Sequence, residues 1–379
     1  MKKLFIATLV LSSSFNYAQS SVRDFCRKAN REARLSVEAL ANDGYIERVR
    51  SDDQADRSRY HGCRHDIDWM KNTRDLLCSG NAIYRSQIDN LQIPESFYFV
   101  FDGAADFNPN LALSIDPNIA NIDGSEPNDL GRGNFNSGAF WLAPIRTHHL
   151  SNNSLYHVQY HASSGFQRRE GRRSAIACFR TIANYLDILK ALGKGLTPKV
   201  AAFGFSNGGV DASKFQEEIA DKTNYPADLV MTIDPIMKSL FYPFQSNRRY
   251  VGERDPKTKR FLNFYQTTDN GSLTLPVLGQ ITLTGKPIRN ADTNFLIDKV
   301  ISKLIFNEYI WTDFFADEGY IEKFEYLDSS TPWHVNLVMD IRLQDILKCE
   351  IENLNTSSSN PCLDAWTTSP EQYFSIPFY

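Results

Sequence analysis

The stretch Thr197 to Gly209, TPKVAAFGFSNGG, decides how the rest of the chain is read. Pro198 precedes a short apolar run, Val200 to Phe205, of the kind that forms a buried strand. The run stops at Gly204-Phe205-Ser206-Asn207-Gly208-Gly209, and a helical segment follows. The pattern is strand, sharp turn, helix, with a serine at the apex. A serine on so tight a turn needs residues without side chains two positions to either side, because strand and helix pass close together there. Gly204 and Gly208 meet that need.

Outward from this turn, predicted strands and helices alternate. The strands are Ser96 to Phe101 (SFYFVF), Leu155 to Tyr160 (LYHVQY), Ala227 to Ile233 (ADLVMTI), Phe261 to Thr267 (FLNFYQT) and Ile321 to Leu327 (IEKFEYL). The best predicted helix is Ser174 to Leu192. Ile176, Phe179, Ile182, Leu186, Leu189 and Leu192 recur there at helical spacing, Ser174 can cap the start, and Gly193 can close the end. The helix after the turn is expected to reach about Lys222, an amphipathic helix to begin near Asn294, and a closing helix to span Val335 to Glu352. Strands alternating with helices predict an α/β protein: a mostly parallel central sheet with helices on both faces. Residues 19–94, rich in Arg and Asp, are expected to form a helical N-terminal extension, clearest from Ser21 to Ala41. Residues 95–352 form the main domain, with inserts at about 236–260 and 270–320, the second holding a hairpin from Leu273 to Ile288. Residues 353–379 are a polar tail, and the Asp, Asn, Gly and Pro-rich stretch from Asp102 to about Ala139 is a surface loop.

Composition bounds the function. The 379 residues are 42% hydrophobic and 23% charged, with a net charge of −4, so no overall field favours nucleic acid or an anionic membrane as partner. Lys2 and Lys3 precede the apolar run Leu4 to Leu11, and small residues lead to Asn16-Tyr17-Ala18. Residues 1–18 therefore resemble a secretory signal peptide cleaved after Ala18, which predicts a secreted or periplasmic protein. Six cysteines fit an oxidising compartment as disulfides. The local pairs Cys63–Cys78 and Cys349–Cys362 would leave Cys26–Cys178.

In a parallel sheet, the loops at the C-terminal ends of the strands line the crevice where ligands bind. Gly103, Ser206, Asp234, Asp269 and His334 all sit at such predicted ends. A serine hydroxyl becomes a nucleophile when a base takes its proton, and that base is oriented by an acid. With its G-F-S-N-G turn, a strand-end Asp and a His in the loop after the last predicted strand, the chain resembles a serine hydrolase of the α/β-hydrolase superfamily over roughly residues 95 to 350. The resemblance implies Ser206 as nucleophile, His334 as general base, and an oxyanion hole from the backbone N–H of Asn207 with that of Gly103 or Ala104. It leaves two candidates for the acid. Asp234, in a strand-end I-D-P that resembles the L-D-P of pancreatic-lipase-like enzymes, is favoured, and Asp269, one strand later, is the alternative. The implied activity is cleavage of carboxylic esters, lipid or acyl esters first, without a cofactor or metal and compatibly with peripheral contact at a lipid surface. A peptidase, a polymer esterase and a non-catalytic hydrolase-like binding module are the other readings. His61, Cys63 and His65 have metal-like spacing, but a disulfide is the better use of Cys63 in an exported chain. Arg168, Arg169, Arg172 and Arg173 form a basic cluster that is either a solvated face or a contact for an anionic head group.

Overall fold

A computed structural model describes residues 21–34, 68–101, 119–121, 157–162, 168–236, 249–267, 273–275, 279–281, 284–306, 324–330, 337, 340–356 and 362. The helices are α1 (residues 21–34), α2 (Asp68–Cys78), α3 (Arg85–Asp89), α4 (Arg168–Ala191), α5 (Asn207–Lys222) and α6 (Ile341–Thr356). The strands are β1 (Ser96–Phe101), β2 (Ile119–Asn121), β3 (His157–Ala162), β4 (Lys199–Phe205), β5 (Leu229–Ile233), β6 (Arg260–Tyr265), β7 (Leu273–Leu275), β8 (Gly279–Ile281), β9 (Thr293–Leu296), β10 (Val300–Phe306) and β11 (Phe324–Ser330).

Seven strands form one sheet in the order β2-β3-β1-β4-β5-β6-β9, and every pairing in it is parallel. The protein is of the α/β type. β1 and β5 are buried along their whole length, as strands covered on both faces must be. Alternate residues separate the two faces. Phe97, Phe99, Phe101, Val200, Ala202, Val230 and Phe261 share one core with α1, α2, α4 and α5. Tyr98, Val100, Ala201, Phe203, Phe205, Met231, Ile233, Leu262 and Phe264 share the other with Leu343, Ile346, Leu347 and Ile351 of α6.

The order of the strands locates the crevice. From β1 the chain first builds β2 and β3 on one side, then crosses to β4 and adds β5, β6 and β9 outward on the other. The direction of winding reverses between β1 and β4, so the carboxyl ends of these two strands flank a topological switch point. Phe101 is in register with Gly204 there.

Local signals for α4 hold at one end and shift at the other. Gly193, at φ 86, follows the helix, with its N–H on the Lys190 carbonyl (2.9 Å) and the Lys194 N–H on the Leu189 carbonyl (3.0 Å). This is the double closure that glycine permits beyond a helix end. The helix begins at Arg168, so Ser174 lies inside it rather than capping it. The Arg cluster occupies its first turns, and the Arg172 guanidinium turns inward, 3.1 Å from the buried Asp211 carboxylate and 3.7 Å from Glu218, both on α5.

Several expectations are corrected. The helix predicted from Asn294 is instead β9, at the edge of the main sheet within the expected 270–320 insert, followed by β10. Ile297, Val300, Ile301, Leu304 and Ile305 fit helical spacing, but the β-branched Val300, Ile301 and Ile305 favour strands, and β10 finds a partner in β11. β11, expected to be the last strand of the main sheet, forms a separate antiparallel ribbon with β10. The predicted loop after β1 contains the short strand β2. The hairpin within Leu273 to Ile288 is present as β7 and β8. Cys349–Cys362 forms as expected, whereas Cys78 bonds Cys26, which excludes both Cys63–Cys78 and Cys26–Cys178. Helices α1 and α2 lie side by side on the same core, through Phe25, Ala29, Trp69, Met70 and Leu77, which brings the two cysteines together. Cys178 is also disulfide-bonded. Among the described residues no helix is long and apolar enough to cross a membrane, and no His, Cys, Asp and Glu cluster could hold a metal ion. The predicted signal peptide, His61, Cys63 and His65 lie outside the described residues.

Candidate active site

β4 ends at Phe205 and α5 begins at Asn207, so Ser206 alone makes the turn between them. Its backbone sits at φ 58 and ψ −124, a conformation that L-residues avoid and that costs on the order of 1–3 kcal/mol. Such strain persists only where the surroundings over-determine it, and here they do. The Ser206 N–H donates to the Ile233 carbonyl (3.0 Å), and the Ser206 carbonyl accepts from Ile236 (3.1 Å) and Gly209 (3.1 Å). A Cβ on Gly204 would stand 2.7 Å from the Gly209 nitrogen, and one on Gly209 would stand 2.9 Å from Pro235 Cβ. The glycines flanking the serine are therefore there to let strand, helix and the Asp234-Pro235 turn come together. Ser206 makes no capping bond to α5 through its hydroxyl and is only 2% exposed. Asn207, buried, supplies the first N–H of α5, at the positive end of the helix dipole.

Asp234 follows β5, the strand beside β4, and is wholly buried. Its φ is 43. Among the described residues, only Ser206, Asp234 and Asn290 combine a side chain with positive φ, and the first two share this one junction. The Asp234 N–H donates to the Phe264 carbonyl of β6 (2.7 Å). Its carboxylate accepts from the Gln266 backbone N–H on Oδ1 (3.1 Å) and from Gln266 Nε2 on Oδ2 (3.2 Å). Gly285 also lies against this carboxylate, since a Cβ there would stand 2.8 Å from the Asp234 carboxyl carbon.

Of the residues singled out from the sequence, the described structure brings Ser206, Asn207 and Asp234 to one end of the sheet. Gly103, Ala104, Asp269 and His334 lie outside the described residues, although β1 stops two residues before Gly103, with its last residue in register with Gly204. Gln266 and Gly285 went unrecognised in the sequence. Gln266 lies inside the predicted strand Phe261 to Thr267, whose polar Asn263 and Gln266 among apolar residues are the available signal. Nothing local marks Gly285, whose role depends on a carboxylate 51 positions away in the chain.

No protein-family model matches the chain, and no curated protein matches it. What fold and site together define is a class: an α/β protein whose all-parallel sheet carries a strained serine and a buried, hydrogen-bonded aspartate side by side at the topological switch point.

Proposed function

We propose that the protein is a secreted or periplasmic serine hydrolase of the α/β-hydrolase superfamily that cleaves carboxylic esters, lipid or acyl esters first among them. The observation that carries this reading is the backbone of Ser206, φ 58 and ψ −124 on a single-residue turn between β4 and α5. A strained elbow of this kind raises a serine hydroxyl to the top of a parallel sheet beside a helix N-terminus, where a nucleophile for acyl transfer belongs. The disulfides support an oxidising compartment.

In this reading His334 takes the proton of the Ser206 hydroxyl as its oxygen attacks the ester carbonyl. Asp234 holds the imidazole in the productive orientation and balances its positive charge. The oxyanion is received by the N–H of Asn207 and that of Gly103 or Ala104, each donor contributing about 3–4 kcal/mol to the transition state. The protonated imidazole then gives its proton to the leaving alkoxide, and the acyl group stays on Ser206. Water, deprotonated by His334, attacks the acyl-enzyme to release the acid and restore the serine.

The test is labelling with a fluorophosphonate, whose phosphorus bonds the serine oxygen as fluoride leaves, read by mass spectrometry beside Ser206→Ala. The expected result is one modified peptide, containing Ser206 and missing from the variant. Folded protein that takes no label, with or without detergent, overturns the reading in favour of a non-catalytic binding module.

A further inference from the structure

The polar groups around Asp234, buried at Thr232 and Asn263 and exposed at Asn294, form an arrangement larger than the aspartate itself needs. Thr232, Asn263 and Asn294 stand in register on β5, β6 and β9. Their side chains make a ladder across the sheet. Thr232 Oγ1 donates to Asn263 Oδ1 (2.8 Å), and Asn263 Nδ2 donates to Asn294 Oδ1 (2.8 Å). The ladder grips the segment before β9. Asn263 Nδ2 also donates to the Lys286 carbonyl (3.2 Å), the Ile288 N–H donates to Asn294 Oδ1 (2.8 Å), and Asn294 Nδ2 donates back to the Ile288 carbonyl (2.9 Å). Holding residues 286 to 288 in this way sets Gly285 against the Asp234 carboxylate. Gln266 meets the same carboxylate with two donors, one to each oxygen, and is wholly buried.

We propose that Gln266 is a positioning residue that sets the plane of the Asp234 carboxylate, with Gly285, held by the Thr232–Asn263–Asn294 ladder, as the wall against which it is set. The inference rests on the reading in which Asp234 is the acid of a serine hydrolase. A carboxylate with each oxygen bonded to a different atom of one residue cannot rotate about its Cβ–Cγ bond without losing both bonds. Its remaining lone pairs then point in fixed directions, which is what a histidine needs from its orienting partner. The backbone donor survives any substitution at 266, so the side chain supplies the second point of fixation.

The experiment is the rate of fluorophosphonate labelling of Ser206 across pH in Gln266→Met, Gln266→Glu and Gly285→Ala, with the folded fraction of each measured by circular dichroism. Gln266→Met keeps the bulk and loses the donor; its labelling per folded molecule is expected to slow about tenfold, the scale of one hydrogen bond to a charged group. Gln266→Glu is nearly isosteric, and its two facing carboxyl groups share a proton in acid and repel once both ionise. Its labelling is expected to fall at higher pH, a limb absent from the wild type. Gly285→Ala presses on the carboxylate directly and is expected to slow labelling as well. A purely structural role would lower thermal midpoints and leave rate and pH profile per folded molecule unchanged, and that result overturns the proposal. Loss of labelling in Asp269→Asn but not in Asp234→Asn overturns it too, while the hydrolase reading stands. Wild-type protein that takes no label brings down the hydrolase reading and this inference together, and does so before any variant is made.

Discussion

Gly204 and Gly208 lie backbone against backbone: a Cβ built on Gly204 would stand 2.5 Å from the Gly208 carbonyl carbon. The obstacle is main chain on both sides, so no side chain can swing away. Gly204→Ala is expected to destabilise the protein by about 1–3 kcal/mol or to prevent folding, as overpacking at a rigid contact does. Gly195, where an added methyl would have nothing within 4 Å and φ is not positive, is the control. Gly195→Ala is expected to hold or gain up to about 1 kcal/mol by restricting the unfolded chain. Urea midpoints of the two variants compare them directly, and equal midpoints would refute the close approach.

The strain at Ser206 makes a second test. Glycine tolerates φ 58 where alanine does not, so Ser206→Gly is expected to be more stable than Ser206→Ala by about 1 kcal/mol. Both variants lose the hydroxyl, so the comparison isolates the backbone. Thermal midpoints within error of each other would show that the turn carries no strain.

Glu350 on α6 is buried beside Arg260, 2.5 Å away at the start of β6. Burial pushes its carboxyl up to about 7, against the opposing pull of the Arg260 charge. The raised value belongs to the folded state, so the associated stability is fully present below the unfolded value of 4.5 and is lost as pH rises through about 7. Stability measured by denaturant at pH 5 and pH 8 is expected to drop more in the wild type than in Glu350→Gln, by an amount on the order of 3 kcal/mol at most. Parallel pH dependences would assign the effect elsewhere.

Asp340 and Arg342 form a buried pair at the head of α6. The guanidinium donates from Nε to Asp340 Oδ1 (3.0 Å) and from Nη2 to Oδ2 (2.7 Å), and Nη2 also reaches the Lys299 carbonyl (2.6 Å). Arg342→Met removes the countercharge from a wholly buried carboxylate and is expected to cost about 3–5 kcal/mol. The double variant Asp340→Asn, Arg342→Met is expected to cost less than the single one, because no uncompensated charge is left behind. A single variant that costs under about 1 kcal/mol would mean that water reaches Asp340.

Where a feature depends on residues close in the chain, the amino-acid sequence was enough. The apolar runs of β1, β4, β5 and β6, the glycines around Ser206, and Gly193 beyond α4 each act within a few positions, through local sterics and burial, and their reading led to the α/β class and to Ser206 and Asp234 at strand ends. Tertiary structure alone decided the rest. The apolar spacing after Asn294 suits a helix or a strand, and the pairings with β6 and β11 select strands. Cys26 could choose Cys78 only because α1 and α2 share a core. Gln266 and Gly285 acquire a role because neighbouring strands place them around a carboxylate that is distant in the chain. Hydrogen bonds and close contacts across a sheet are set by strand order and register, and neither is written in the spacing of residues along any one strand.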